Sequence, residues 1–506
     1  MNPIHPDWLR LIVPEVFLAL TAFLMLGLSA LKDPIWRRWI PSLSLLSCVL
    51  GLAAVLAFYW RFGTDMLSQP TVTSGFGGMF LLDAYSIFFK VLFLIAAILT
   101  ILISERYLDV ERAQSGEYYA LMLFAVVGMM FMASAGDFLV LFVALETMAL
   151  SFYILVGYLK ANRKSNEGAL KYFLLGSFST GILLYGVSLI YGTTGALNFK
   201  LIGAARSAAA PGGDQAPFFM LGVVLVTVGL GFKIAAVPFH MWAPDAYEGA
   251  PTPITAFLST ASKAAAFVVL VRIFATAFGH LDADWALLLA ILSVGSMTLG
   301  NIAAILQDNI KRMLAYSSIS HAGYALLGVI AVGLGDSIET REWGVQAVIL
   351  YLFIYTFVNI GAFGLVTMLR REQIVGDRLS DFAGLSGRAP LSAFAMLVFL
   401  LSLAGIPATA GFVGKWYLFG AAVRADYTWL AVVAVINSAI SLYYYARVVV
   451  MMYMREPGDG VRIAPSLGQR VAITACIAFT IVFGIYPQPI LTFARNSILA
   501  LAPWAS

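Results

Sequence analysis

Apolar residues in this chain run in long blocks separated by short polar stretches. A block of about 20 such residues crosses a bilayer as a helix, and the sequence resolves into about fourteen of them. They are expected at 11–31, 40–59, 80–103, 118–133, 138–159, 169–191, 218–247, 253–277, 285–306, 310–332, 345–369, 391–423, 429–454 and 471–494. The seventh and twelfth are interrupted. Pro238 lies inside the seventh, where it removes a backbone donor and clashes with the preceding turn. Gly405, Pro407 and Gly411 break the twelfth. The pattern predicts an all-α polytopic membrane protein.

Composition agrees: 61% of the 506 residues are hydrophobic and 11% charged, against about a quarter charged in soluble domains. The net charge of +4 says less than where the basic residues fall. One set of connections carries Lys32, Arg37 and Arg38; Arg106 and Arg112; Lys160, Arg163 and Lys164; Lys311 and Arg312; Arg370, Arg371, Arg378 and Arg388; and Arg455, Arg462 and Arg470. The opposite side has only Arg61, Lys200, Arg206, Arg341 and Arg424, sparsely spread. The rich side is expected to be cytoplasmic, with both termini on the outer side. The start, Met1-Asn2-Pro3-Ile4-His5-Pro6-Asp7, lacks the basic opening of a secretory signal.

Two halves are discernible, each with one interrupted segment and one lysine, Lys233 before Pro238 and Lys415 after Gly411. Interrupted helices in matching places point to inverted repeats with a transport site between them. The expected division is three helices in 1–116, a first five-helix repeat in 117–278, a second in 279–456, and a last helix in 457–506. Tyr153–Gly157 and Tyr324–Gly328 are a weaker echo.

Five ionisable residues fall deep within apolar segments. Glu146 is near the middle of the fifth, Lys171 toward the cytoplasmic end of the sixth, and Lys233, Lys263 and Lys415 near the middles of the seventh, eighth and twelfth. An ammonium at the bilayer centre costs roughly 2.5–3.5 kcal/mol even on lenient scales. The plain structural reading of any one of them is a fixed salt bridge, and Lys171 can snorkel to the interface. Three midplane lysines cannot, however, pair one to one with a single midplane glutamate. Desolvation favours the neutral amine and a nearby carboxylate favours the charged one, so a lysine row beside Glu146 is suited to passing protons. His321, in the polar stretch Ser317-Ser318-Ile319-Ser320, is a relay candidate or a hydrogen-bonded core histidine. His240 with Asp245 and Glu248 is expected at the cytoplasmic mouth. Asp83 and Lys90, two helical turns apart, read as a structural pair.

Redox and nucleotide chemistry have no sequence support. Cys48 and Cys476 are far apart in apolar runs, and there is no C-x-x-C or zinc-type His spacing. Ala210-Pro211-Gly212-Gly213-Asp214 lacks the strand–loop–helix setting of a phosphate loop.

At its charged segments the chain resembles the antiporter-like membrane subunits of respiratory complex I, most closely the bacterial N type, over nearly its whole length. The motifs are Ala144-Leu145-Glu146-Thr147-Met148-Ala149-Leu150, Lys233-Ile234-Ala235-Ala236-Val237-Pro238-Phe239-His240-Met241-Trp242, Pro244-Asp245-Ala246-Tyr247-Glu248-Gly249-Ala250-Pro251-Thr252-Pro253 and Phe257-Leu258-Ser259-Thr260-Ala261-Ser262-Lys263. The resemblance implies proton translocation in a bacterial inner membrane, with Glu146, Lys233, Lys263 and Lys415 as its core and Lys171, His321 and His240 as relay candidates. It implies no cofactor in this chain, since NADH, FMN, iron–sulfur clusters and quinone belong to other subunits. Expected partners are subunits M, K and J and membrane lipids, with no nucleic acid. Lys415 in place of a glutamate favours the N type over M, and the absence of a long lateral helix favours it over L. The competing readings are a subunit of a multi-subunit cation/proton antiporter or membrane-bound hydrogenase, a non-pumping scaffold, and a stand-alone substrate transporter, for which no site for a larger solute is evident.

Overall fold

The computed structural model describes residues 6–31, 34–68, 73–208, 214–278, 284–335, 337–370, 376–456 and 465–498. Lys32, Arg371, Arg462, Met1–His5 and Ala210–Gly213 lie outside the described residues, as do the side chains of Asp7, Arg37 and Arg61.

Among the described residues thirteen helices are long and apolar enough to cross a membrane. The twelfth segment is the remaining crossing, made of two halves too short to count alone, Pro390–Ala404 and Ala410–Arg424. The seventh is Ala216–Lys233 followed by Trp242–Gly249. Segments eight, ten and eleven (Thr252–Thr276, Ile310–Leu334 and Ile338–Leu369) are almost wholly enclosed by protein. Peripheral helices instead present large apolar side chains outward, among them Leu20, Phe178 and Trp429. A helix hydrophobic all round is stable in either setting, so hydropathy alone does not distinguish the core helices from the rim.

Local chemistry explains where the boundaries differ from expectation. The third segment begins at Ala84, not residue 80, because Asp83 caps it: its carboxylate accepts from Ser86 N at 2.7 Å while Ser86 Oγ accepts from Asp83 N at 3.0 Å. Phe80–Leu82 pairs antiparallel with Thr73–Gly75, a small ribbon that the helical pattern did not anticipate. The fifth, Phe138–Val156, starts after Asp137, whose carboxylate accepts from Val140 N at 2.8 Å. The fourteenth ends at Ile485 and Pro487 separates it from Gln488–Ile498, so 471–494 is not one helix.

Both interruptions share one construction. At the first, Ala236 N bonds Gly231 O across Ala235, which is in the left-handed region at φ 58°. At the second, Ile406 N bonds Leu401 O across Gly405 at φ 85°. Each half-helix thus closes in a left-handed turn and points the negative end of its dipole into the protein interior.

Candidate functional site

Those two helix ends are where two of the lysines sit. Lys233 is the last residue of its half-helix, within reach of the dipole's negative end. Its Nζ donates to the Tyr153 hydroxyl at 3.4 Å and lies 5.7 Å from the centre of that ring. Lys415 comes from the second half of its broken segment and reaches back to the first: Nζ donates to Ala404 O at 3.0 Å and Ser438 Oγ at 2.8 Å. Its stem lies over Gly405, where a Cβ would come within 2.8 Å of Lys415 Cδ.

Lys263 is held differently. The eighth segment contains a π-helical turn at Leu258–Ser262, directly before it. Such turns shift the register of the succeeding helix and recur at functional sites. Lys263 Nζ donates to Ser318 O at 2.8 Å and to Ser318 Oγ at 2.6 Å. Tyr247 and Tyr355 direct buried hydroxyls toward Ser318 without completing an aligned hydrogen bond. Buried hydroxyls in that position are ordinarily satisfied by water.

The tenth segment links Lys263 to Lys415. Ser317, Ser318, His321 and Tyr324 succeed one another at helical spacing along one side of it. The His321 ring is held between the hydroxyls of Tyr351, at Nδ1, and Tyr445, at Nε2 with 3.1 Å. Tyr445 also meets Ser317 Oγ at 2.6 Å. The Tyr324 ring packs 5.7 Å from His321 and 4.9 Å from Lys415 Nζ, so the last step from His321 to Lys415 is a ring contact, the Tyr324 hydroxyl being turned to Asn301. Between Lys233 and Lys263 the connection is aromatic: Phe232 and Trp242 lie 5.4 Å apart, and Tyr247 stands between Trp242 and Lys263.

Glu146 does not contact Lys233. The carboxylate is half-buried at the protein's side and accepts from Thr180 Oγ1 at 2.8 Å. Among the described residues no ion pair joins it to a lysine, so direct pairing with Lys233 is replaced by proximity through Tyr153, two turns along the same helix. Lys171 is 43% exposed and lies between Asp245 and Glu167, 2.7 Å from each, outside the buried row. His240 falls in the turn after the first break, half-buried and apart from the other members.

Asp245 and Glu248 do meet basic residues at the arginine-rich end. Arg312 bridges Asp245 at 2.6 Å and Glu248 at 3.1 Å, and Lys164 reaches Glu248 at 2.7 Å. Partial burial acts to raise the Glu248 carboxyl, but Lys164 and Arg312 outweigh it and hold it below its ordinary range. Glu248 and Lys164 line a cavity of about 820 Å³ with five acidic and five basic side chains in its wall. Lys311 closes its floor, donating to Glu248 O at 2.8 Å and Ala250 O at 2.7 Å. Burial pushes the nearby Asp377 carboxyl up against the pull of Lys311 and Arg370.

Asp83 and Lys90 are not each other's partners. Asp83 forms a two-pronged pair with Arg272, at 2.8 and 3.1 Å, and Arg272 also donates to Ala133 O. Lys90 Nζ lies 2.6 Å from Glu15 Oε1, although the angles are not those of a good hydrogen bond. Arg272 and Glu15 were not singled out from the sequence: each is a charge inside an apolar run, which could have flagged it, but sequence spacing cannot pair residues on different helices. These pairs define a contrast. Lys90 and Arg272 have buried carboxylates, whereas Lys233, Lys263 and Lys415 meet only neutral oxygens and rings among the described residues.

Among the described residues no group of three or more His, Cys, Asp or Glu is placed to hold a metal, and both cysteines are buried and free.

A protein-family profile described as "NADH:quinone oxidoreductase/Mrp antiporter, TM" matches residues 135–441. NADH-quinone oxidoreductase subunit N 2 of Solibacter usitatus is 45% identical over 96% of this chain and 97% of its own length. Subunit N of Trichlorobacter lovleyi is 44% identical, covering 97% of each. Among solved structures, a chain of respiratory complex I from Thermus thermophilus with bound Aureothin superposes with a TM-score of 0.78 at 32% identity, over 95% of this chain and 99% of that one. A chain of the Mrp complex from Dietzia has a TM-score of 0.83 at 23% identity over 98% of each, and so shares the fold. By near full-length identity and by fold, this chain belongs to the subunit N family of the NADH-quinone oxidoreductases.

Proposed function

We propose that this chain is a proton-translocating membrane-arm subunit of NADH:quinone oxidoreductase, passing protons along Glu146, Lys233, Lys263 and Lys415 from the cytoplasmic to the periplasmic side. One observation carries the residue assignment: three buried lysines with neutral partners only, in an interior where other buried cations have carboxylates. A lysine held this way can lose its proton without stranding a buried anion. Proton hand-over along such a row would use the hydroxyls and ring nitrogens of Ser318, Tyr445 and His321, with water completing the steps that ring contacts alone span. In the proposed inverted halves 117–278 and 279–456, Lys233 ends a half-helix of the first and Lys415 reaches back to a half-helix end of the second, with Lys263, also of the first half, between those two lysines.

NADH, FMN, iron–sulfur clusters and quinone are assigned to other subunits, whose redox chemistry drives this one from a distance. Subunits M, K and J are the proposed neighbours, in a bacterial inner membrane with both termini periplasmic. The cation/proton antiporter reading shares the fold; the identity to N subunits favours complex I. A scaffold would gain stability by replacing its unpaired buried lysines with apolar residues.

The test is alanine at Lys233, Lys263 and Lys415 in turn, in the assembled complex. Normal assembly with loss of proton translocation supports the reading. Translocation that survives at normal assembly removes the residue from the path.

A further inference from the structure

The π-helical turn Leu258–Ser262 is braced from outside its own helix. A turn of this kind holds more residues than an α-helical one and departs from the regular ladder of backbone bonds. Two hydroxyls converge on a carbonyl just before it: Ser259 Oγ donates to Ala256 O at 2.9 Å and Thr260 Oγ1 to the same oxygen at 2.8 Å. The Ser259 hydroxyl hydrogen is thereby spent, and its oxygen can only accept. Asn359 supplies the donor, its side-chain amide nitrogen reaching Ser259 Oγ from segment eleven at 2.6 Å. Both side chains are buried.

Asn359 belongs to a stripe on segment eleven. Tyr351, Tyr355 and Asn359 follow at intervals of four, on one face of the helix. Tyr351 meets His321 Nδ1, and Tyr355 directs its hydroxyl toward Ser318, the partner of Lys263. The face that lines His321 and Ser318 therefore continues onto the turn that precedes Lys263. Leucine would serve packing alone in so apolar a setting, whereas a polar side chain at membrane depth is costly to keep.

Register is what the turn controls. One residue corresponds to about 100° of rotation on an α-helix. Closing Leu258–Ser262 into an α-helical turn would rotate Lys263 by about one such step and carry its Nζ away from Ser318. We propose that Asn359 is a positioning residue of the proton path, on the reading of Lys263 as a proton carrier: its bond to Ser259 holds the π-helical turn in place and so fixes the register in which Lys263 faces Ser318.

The test is Asn359→Leu in the intact complex, with two measurements. Cryo-electron microscopy in nanodiscs reads the turn itself, and proteoliposomes read the rate of proton translocation. The variant is expected to close the turn, break the Lys263–Ser318 contact and slow translocation by about tenfold or more, since misplacing a reacting group by about 1 Å can cost about a hundredfold. Ser259→Ala removes the acceptor with little change of volume and is expected to give the same two results; it carries the test if the leucine variant fails to assemble. An amide that served packing alone would leave the turn and the Lys263–Ser318 contact as they are, so an unchanged turn in either assembled variant would overturn the proposal. A closed turn with undiminished translocation would keep Asn359 as the brace of the turn and overturn the assignment of Lys263 to the proton path.

Discussion

Tyr153 stands between two groups that do not touch: its hydroxyl is 3.4 Å from Lys233 Nζ, while Glu146, seven residues earlier on the same helix, is turned to Thr180. The hydroxyl fits there because position 176 is glycine. A Cβ at Gly176 would overlap the phenol oxygen itself. The neutral Tyr153 hydroxyl, and not the Glu146 carboxylate, is therefore the side-chain oxygen in contact with Lys233 Nζ.

Tyr153→Phe tests that arrangement directly. A hydrogen bond to a charged group contributes about 1.5–3 kcal/mol, and at the long distance seen here about 1 kcal/mol, or roughly fivefold in rate. The rate of proton translocation, measured in proteoliposomes, should fall by about that factor. Gly176→Ala should reproduce the defect by displacing the ring. Unchanged translocation in both would make Tyr153 a packing residue.

Arginine separates proton transfer from charge. Its guanidinium stays protonated at any working pH, so Lys263→Arg keeps the cation beside Ser318 but cannot release a proton. Translocation should drop by about tenfold or more, in the range that loss of an acid–base group produces. Assembly, checked by native gel, should remain near normal. A variant that pumped normally would show that Lys263 acts only as a fixed charge.

The second break depends on Gly405. Any other residue there would enter the left-handed region at about 1–2 kcal/mol and press on the Lys415 stem. Gly405→Ala should lower the melting temperature of the complex and reduce translocation together. Ala235 and Ala408 already hold left-handed conformations, at φ 58° and 67°. Ala235→Gly and Ala408→Gly relieve that strain and should leave melting temperature unchanged or raised.

Segment count, both interruptions and the buried lysines were legible in the sequence because each depends on hydropathy or on proline and glycine, which act locally. The partners were not. Lys263 meets Ser318 fifty-five positions away, and Arg272 meets Asp83 from a helix with no sequence relation to it. The π-turn before Lys263 was hidden because Leu258–Ser262 has the composition of an ordinary helix. Tyr445 and Ser438, which complete the row around His321 and Lys415, read in sequence only as polar positions in the thirteenth segment.

Glu248 gives a pH signature at the arginine-rich end. Its folded-state carboxyl is held below its ordinary range, so its contribution is fully present above the unfolded value and is lost as pH falls through the folded one. Glu248→Gln should therefore lower stability by about 1 kcal/mol, discounted for partial exposure. The deficit should be constant between about pH 6 and 8, since no carboxyl of this kind titrates there. Thermal melts of the intact complex across that range provide the check. A deficit that changed between those limits would assign the effect to a lysine or histidine.

The Asp83–Arg272 pair is the counterpart of the lysine row, and the two should respond oppositely to the same experiment. Removing one buried partner strands the other, at about 3–5 kcal/mol. Arg272→Leu or Asp83→Leu alone should therefore sharply reduce the amount of assembled complex. With both changed, the stranded charge disappears and assembly should recover in part. Recovery is incomplete because Asp83 also caps the third segment through Ser86 N, a contact worth about 1 kcal/mol. Translocation per assembled complex should stay at the wild-type level in the double variant, because both residues lie outside the row from Lys233 to Lys415. Loss of pumping in well-assembled double variant would instead place this pair on the proton path.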